Sequence, residues 1–214
     1  MRKMFRFLFW VALVLGIFIG IARATAIRWW RVPQNDPYLT ASTSPSVRGG
    51  DLILLWRLTK PGFGDLVMCP EPKHPERVVI GRLVGEQGDD IEVAGADITL
   101  NRKRIGTESN CMPSTFQEHD PGTGFEVEQH CSIEEMGGGT NHRGELVQGS
   151  VQPTEVKTTV PNGMVWLVSD NRQYPWDSRD FGPVPRNTCE ETVFFRLVGK
   201  DGYFDAANRN QYIH

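Results

Sequence analysis

The 214-residue sequence lacks the features that mark several common classes of protein. No two of its four cysteines form a C-x-x-C pair, so zinc-ribbon and thioredoxin-type sites have no support. Acidic and basic residues are mixed along the chain and sum to a formal charge of −3, whereas a nucleic-acid-binding protein needs a basic face. Beyond residue 31 the sequence shows no internal repeat and no amphipathic helix longer than three turns. We expect no metal, no cofactor and no nucleic-acid partner.

One long apolar run is present at the amino terminus, where residues 7–22 are all apolar or glycine behind a basic start. A cleaved secretory leader fits, because residues 22–26 offer two A-x-A cleavage sites. A membrane helix also fits if flanking residues lengthen the run to about 20, with Trp29 and Trp30 at the lipid–water interface. Both alternatives stay open, and both carry the following domain across the membrane. The sequence predicts an extracytoplasmic, periplasmic-type domain, with residues 1–31 as a single-pass anchor and interfacial segment in the second case.

Beyond the anchor, short segments rich in Val, Ile and Leu alternate with turn residues. The clearest segments are 51–58, 65–68, 77–84 and 164–168. Several short strands at close spacing predict a mainly β fold, a β-sandwich or partial barrel. The polar, Gly-rich stretch 108–152 interrupts this pattern and predicts an inserted flap. It divides the β core into a first part, 32–107, and a second part, 153–214.

Two of the cysteines, Cys111 and Cys131, bracket part of the predicted flap. In an oxidising compartment a disulfide between them could close this segment. A loop of that size would contribute about 3 kcal/mol to stability in the chain-entropy model. Four buried free thiols are the alternative, and the pairing of Cys69 and Cys189 also stays open.

Three blocks of residues, in a fixed order, carry the candidate chemistry. The first, S-T-S-P-S-V-R-G-G-D at 42–51, places a serine on an irregular stretch before a Gly-Asp turn. The second, R-L-V-G-E-Q-G-D at 82–89, ends a predicted strand, and the third, S-D-N-R-Q-Y-P-W-D-S-R at 169–179, follows one. These blocks resemble those of the type I signal peptidase family. The family patterns are Ser-Met-x-Pro-Thr-Leu-x-x-Gly-Asp, Lys-Arg-Val-Val-Gly-Leu-Pro-Gly-Asp and Gly-Asp-Asn-Arg-x-x-Ser-x-Asp-Ser-Arg.

The resemblance covers most of the chain outside 108–152. The residues that agree are Ser42, Pro45, Gly50 and Asp51 in the first block, Arg82, Val84, Gly85, Gly88 and Asp89 in the second, and Asp170, Asn171, Arg172, Asp177, Ser178 and Arg179 in the third. The third block is the most specific, since six positions agree at fixed spacing. The resemblance implies a signal-peptidase-like β fold with one N-terminal membrane helix. The implied partners are the lipid bilayer and signal peptides or other extended exported peptides.

The resemblance also implies roles for individual residues. Ser42 falls at the nucleophile position, and Thr40 falls where the family often places a hydroxyl that stabilises the oxyanion. The six matching residues of the third block are implied to be structural, because charged turn residues there fix the loop near the site.

The sequence departs from the family where the general base belongs. A serine hydroxyl needs an adjacent base, which in this family is a lysine kept neutral by burial. Gly81 occupies that position and has no side chain that could accept a proton. Pro175 replaces the serine that would orient the lysine, and Ser169 replaces the glycine beside its head group. The serine–lysine dyad is therefore incomplete.

Two hypotheses for function follow. The first is a membrane-anchored serine endopeptidase acting on exported preproteins, with the base supplied by another residue. The candidates are Lys73 and His74, which lie in a Pro-rich turn and whose spacing does not direct them at Ser42, and His130 and His142, which could fold back from the insertion. The second is a pseudoprotease that holds extended peptides by strand addition as a scaffold or regulator.

Overall fold

The computed structural model describes residues 2–146 and 155–213, and the fold is mainly β, which confirms the prediction. The helices are α1 (Arg2–Thr25), α2 (Pro37–Thr43) and α3 (Ser178–Phe181). The strands are β1 (Ile27–Arg31), β2 (Leu52–Trp56), β3 (Leu66–Pro70), β4 (Val78–Glu86), β5 (Asp90–Ala94), β6 (Asp97–Leu100), β7 (Lys103–Arg104), β8 (Thr107–His119), β9 (Glu126–Met136), β10 (Gly139–Leu146), β11 (Glu155–Thr159), β12 (Met164–Val168), β13 (Val184–Pro185), β14 (Glu191–Val198) and β15 (Gln211–Tyr212).

Helix α1 is continuous over 24 residues, and none of them is buried. By length and composition it could cross a membrane. It leads directly into β1, where the guanidinium of Arg23 lies 4.8 Å from the centre of the Trp29 ring. An apolar helix with no protein packed around it is suited to a lipid environment rather than to water.

The largest sheet carries the candidate site and runs in the order β1-β2-β14-β3-β4-β12-β13, with β15 paired to β14. Its neighbouring strands are antiparallel. The register shifts within the β2–β14 and β4–β12 pairs, and such irregularities bend a sheet. The sheet is accordingly curled, as in the predicted partial barrel.

Strand β4 lies in the centre of the core because both of its faces are covered. Ile80 packs in one apolar cluster with Leu39 of α2. Val79 and Leu83 pack in a second cluster with Phe181 of α3. Since Gly81 and Arg82 lie on the same strand, the positions that correspond to the family's base and its neighbour sit inside the core.

The predicted flap, 108–152, overlaps a separate antiparallel sheet in the order β10-β9-β8. Its last residues, from 147 onward, lie outside the described residues. A third sheet follows the order β11-β5-β6-β7 and joins the two parts of the predicted core, because β11 pairs with β5. The domain division itself stays a prediction.

Both cysteine pairs form disulfides, so the alternative of four free thiols is wrong. Cys111 and Cys131 join β8 to β9 within the separate sheet. Cys69 and Cys189 join β3 to the segment before β14 inside an apolar cluster. They are 120 residues apart, and closing so long a loop contributes roughly 5 kcal/mol in the chain-entropy model.

Candidate peptidase-type site

The nucleophile position, Ser42, lies in the last turn of α2 and not on the irregular stretch that the sequence predicted. Asp36 caps this helix by accepting the Leu39 N–H at 3.0 Å, and Pro37 begins it, which together form a start signal. The Ser42 side chain is fully buried. Its Oγ donates to the Leu39 carbonyl at 3.0 Å, so the hydroxyl bonds to its own helix.

The proposed oxyanion residue, Thr40, is partly exposed at the other side of the same helix turn. Its Oγ1 donates weakly to the Pro33 carbonyl at 3.4 Å. The same side chain borders a cleft of about 700 Å³ that runs between α2 and β8. The role of Thr40 at an oxyanion stays a prediction.

The base position, Gly81, lies on β4 where β12 ends. Val168 is the last residue of β12 and pairs with Arg82, the neighbour of Gly81. A Cβ atom on Gly81 would lie 3.2 Å from Leu167 Cβ and 3.4 Å from the Val168 carbonyl oxygen. A larger residue fits here only if these neighbours shift by a few tenths of an ångström.

The two accompanying departures change the turn after β12. The Ser169 Oγ accepts the Trp176 N–H at 3.2 Å, and the Ser169 N–H donates to Asp177 Oδ2 at 2.7 Å. The hydroxyl that replaces the family glycine therefore organises the turn. Pro175 supplies neither a hydroxyl nor an N–H that could orient an ammonium group.

In contrast, the charge scaffold of the site is complete. The Arg82 Nε and Nη2 donate to the two carboxylate oxygens of Asp170 at 2.8 and 2.9 Å, and its Nη1 donates to the Gly64 carbonyl. The Ser46 hydroxyl donates to the same carboxylate. Both charged side chains are almost fully buried. Such a bidentate, fully bonded ion pair fixes the position of the third block relative to β4.

Asn171 joins the third block to the serine helix. Its N–H donates to the Ser42 carbonyl at 3.0 Å. Its side-chain amide nitrogen is shared between Ser44 Oγ at 3.0 Å and Gln129 Oε1 at 2.8 Å. Arg172 Nη2 donates to Glu134 Oε2 at 2.6 Å. Gln129 and Glu134 belong to β9, and sequence reasoning missed both because polar residues in a polar stretch carry no signal of burial.

The end of the third block caps α3. Burial acts to raise the pKa of Asp177, but the Arg179 guanidinium and two N–H donors outweigh it, so the pKa lies below its ordinary value. Asp177 and Asp180 form a capping box at the start of this helix. Ser178 Oγ accepts the Leu167 N–H at 2.9 Å, which ties the helix to β12. These contacts tie the end of the third block to β12 and α3, and the structural role of its residues stays a prediction.

The alternative bases are engaged elsewhere or exposed. His130 Nε2 bonds Asn110 Oδ1, and His74 pairs with Glu76 at the surface. Desolvation lowers the pKa of His142 although the Asp170 carboxylate opposes this shift. Within residues 2–146 and 155–213, no Lys or His nitrogen is hydrogen-bonded to the Ser42 hydroxyl.

A groove of about 480 Å³ lies between the segment that begins α2 and the start of β4. One wall is formed by Pro33 and by residues 35–39, and the other by residues 76–78. Because β12 pairs with β4 only from Arg82 onward, the edge of β4 before that point has no partner on this side among the described strands. Main-chain groups at such an edge can pair with an added strand.

A known protein family matches most of the chain. The family described as "Signal peptidase, peptidase S26" matches residues 5–198. The chain therefore belongs to the signal peptidase family.

Similar proteins include two bacterial signal peptidases and a mitochondrial protease subunit. Signal peptidase I of Aquifex aeolicus (strain VF5) is 24% identical over 85% of this chain and 81% of its own length. The mitochondrial ATP-independent inner membrane protease subunit 1a of Arabidopsis thaliana is 27% identical over 69% of this chain and 60% of its own. Signal peptidase I V of Bacillus subtilis (strain 168) is 27% identical over 56% of each. The chain thus spans little more than half the length of the last two relatives.

A similar solved structure is that of a signal peptidase I from Enterococcus faecalis V583. It is 20% identical, has a TM-score of 0.41, and covers 63% of this chain and 97% of the other.

Proposed function

We propose that this chain is a membrane-anchored relative of signal peptidase I that binds extended exported polypeptides and does not cleave them by a serine–lysine mechanism. The observation that carries the proposal is Gly81 at the base position, together with a Ser42 hydroxyl that bonds only to the Leu39 carbonyl within the described chain. Without a proton acceptor, a serine hydroxyl is a weak nucleophile at neutral pH.

The groove beside β4 supports peptide binding. Its lining includes Val78, three residues before Gly81 in the sequence, and Leu39, three residues before Ser42. An extended peptide could add to the free edge of β4 and run along this groove toward the serine. Pairing of main-chain groups accepts many sequences, as a module that handles diverse exported chains requires.

Endopeptidase activity is the second candidate function. It is favoured by the serine at the family offset and by the intact Arg82–Asp170 pair that positions the third block. In that case the base would have to come from outside the serine–lysine arrangement.

Cleavage assays separate the two candidates. The full chain in lipid nanodiscs is incubated with a preprotein that has an Ala-x-Ala site. Five forms of the chain are compared: wild type, Ser42→Ala, Gly81→Ala, Gly81→Lys, and Gly81→Lys with Pro175→Ser. We expect no cleavage by wild type or Gly81→Ala, the latter controlling for crowding against Leu167. If only the lysine variants cleave the preprotein, the missing base alone accounts for the inactivity of the wild type. Cleavage by wild type that Ser42→Ala abolishes would establish the endopeptidase instead.

Peptide binding is tested independently of cleavage. Fluorescence anisotropy of a labelled signal peptide measures affinity for wild type, Tyr38→Ala and Tyr203→Ala. Tyr38 lines the groove and is 50% exposed, whereas Tyr203 is 54% exposed and stacks on Arg209 elsewhere. We expect Tyr38→Ala to weaken binding and Tyr203→Ala to leave it unchanged. Equal effects, or no binding by wild type, would contradict the groove assignment.

Localisation follows from α1. We propose that it stays attached as a single-pass anchor and holds the β domain on the extracytoplasmic side. Intact-mass measurement of membrane-extracted protein decides between a retained anchor and cleavage within residues 22–26. Digestion of the domain by protease added to spheroplasts, but not to intact cells, is the result expected for this orientation.

A further inference from the structure

The separate sheet of β8, β9 and β10, here called the inserted sheet, docks directly on the third block. The Gly144 N–H donates to the Asp170 carbonyl at 2.9 Å, and the Arg172 N–H donates back to the Gly144 carbonyl at 2.8 Å. The Tyr174 hydroxyl donates to Asp120 at 3.2 Å, at the turn between β8 and β9. The inserted sheet is therefore hydrogen-bonded to the third block, and the third block in turn is hydrogen-bonded to α2.

One side chain transmits this docking to the serine. The Asn171 amide nitrogen contacts Gln129 on the inserted sheet and Ser44 beside the serine, while its N–H contacts the Ser42 carbonyl. Ser42, Thr43 and Ser44 are all fully buried. If the Gln129 contact were lost, the Asn171 side chain would be held less firmly. Its partners Ser42 and Ser44 would then be held less firmly as well.

The interface is charged and incompletely satisfied. Arg172 and Arg143 both face Glu134, at 2.6 and 3.8 Å, although all three side chains are at least nine-tenths buried. The buried polar atoms without a hydrogen-bond partner in the described chain include Gln129 Nε2, Glu134 Oε1 and Arg172 Nε at this interface, and Asn141 Oδ1 and Arg143 Nε beside Glu134. Unpaired buried groups weaken an interface, so this one is expected to open more easily than the apolar core.

The inserted sheet has the features of a body that moves as a unit. The disulfide between Cys111 and Cys131 ties β8 to β9, and all of β10 pairs with residues 129–136 of β9. At the far end, a close contact of glycines anchors the β9–β10 turn: a Cβ on Gly137 would lie 2.1 Å from the Phe63 carbonyl oxygen. The main chain can approach this closely only where side chains are absent.

We propose that the inserted sheet is a lid. Its docking on the third block keeps the Ser42–Ser44 turn buried, and its release exposes that turn to a polypeptide in the groove. The proposal adds regulation to the peptide site proposed above and rests on that function for its purpose, but its test uses no peptide.

Hydrogen exchange measured by mass spectrometry on the full chain in nanodiscs tests the lid. Glu134→Gln removes the buried charge between Arg172 and Arg143, and Gln129→Met removes only the contact with Asn171. Glu135→Gln is the matched control, since Glu135 is the exposed neighbour on the same strand. We expect both interface variants, and not the control, to exchange at least about tenfold faster in 39–47, 107–146 and 169–173, with β2 and β14 unchanged.

Two results would overturn the proposal. Faster exchange in 107–146 with 39–47 unchanged would mean that the serine turn is held independently of the inserted sheet. A uniform increase that includes β2 and β14 would mean that the sheet and the core open together, so no separate lid exists. Neither result bears on whether the wild-type chain binds or cleaves a peptide.

Discussion

Two neighbouring parts of the site differ in how far they agree with the family pattern. The scaffold of Arg82, Asp170 and Ser46 is buried and fully bonded. At Gly81, one residue along β4, and at Pro175, a few residues along the third block, the chain has neither the lysine nor the serine that the family resemblance predicts. The positions are adjacent, yet the buried ion pair of the family pattern is present and these two side chains are not.

The difference has a physical reason. Removing one partner of a buried ion pair strands the other charge in the core, and this strongly destabilises a protein. Replacing a buried lysine by glycine instead removes a group whose burial itself costs free energy. The scaffold therefore stabilises the fold whether or not the chain is catalytic.

The largest effect is expected from breaking the scaffold. Arg82→Ala leaves Asp170 buried without its guanidinium and should lower the free energy of unfolding by about 3–5 kcal/mol. Urea denaturation of the detergent-solubilised chain measures this change. Arg104→Ala, which breaks an exposed pair with Asp97, is the control and should cause no measurable change. If both variants changed the free energy of unfolding by similar small amounts, the buried Arg82–Asp170 pair would not be what stabilises this part of the fold.

The next effect comes from the α3 cap. Asp177→Asn should cost about 2–3 kcal/mol at pH 7, because the buried Arg179 loses its counter-charge. The pKa of Asp177 is lowered in the folded chain, so its ionised form stabilises the fold above the ordinary value of 3.8. This contribution is lost as the pH falls through the lower folded pKa. Urea denaturation at pH 7, 5 and 3 should show the gap between wild type and variant closing at the acid end. A gap that is constant with pH would assign the loss to packing.

A smaller effect is expected at the base position. Gly81→Lys should destabilise the chain by about 1–2 kcal/mol, because its Cβ crowds Leu167 and its ammonium is buried. Gly81→Ala, compared in the same thermal denaturation series, isolates the crowding. A stabilising Gly81→Lys would show that the pocket for a lysine is still formed.

The smallest effect belongs to the nucleophile position. Ser42→Ala removes one hydrogen bond to the Leu39 carbonyl, and Thr43 Oγ1 still donates to that carbonyl at 2.9 Å. We expect a loss of about 0.5–1 kcal/mol in the free energy of unfolding. Thr43→Val removes a buried hydroxyl that lies 2.9 Å from both the Leu39 and the Val47 carbonyl oxygens, and this comparison variant should cost more. If Ser42→Ala were the more damaging of the two, the serine would have a structural role.

The sequence predicted the strands and the three blocks, but it did not predict which of them are in contact in the fold. The helix around Ser42 went unpredicted although Asp36 and Pro37 mark its start, because seven residues carry too little periodicity to stand out. The pairing of Cys69 with Cys189 was also out of reach, since it depends on β3 and β14 being neighbours in the sheet. The roles of Ser42, Thr40 and Gly81 stay predictions.

By itself, the sequence determined the apolar helix at the start, the mainly β fold and membership in the signal peptidase family, because apolar periodicity and motif spacing are local properties of a chain. Folding brings Gln129 and Glu134 of the inserted sheet to the third block and, among the described strands, leaves β4 without a partner on the β12 side before Arg82. Those contacts arise from sheet order and burial, which join residues far apart in the chain. A glutamate that is buried against an arginine and one that is exposed to water look alike until the sheet has folded.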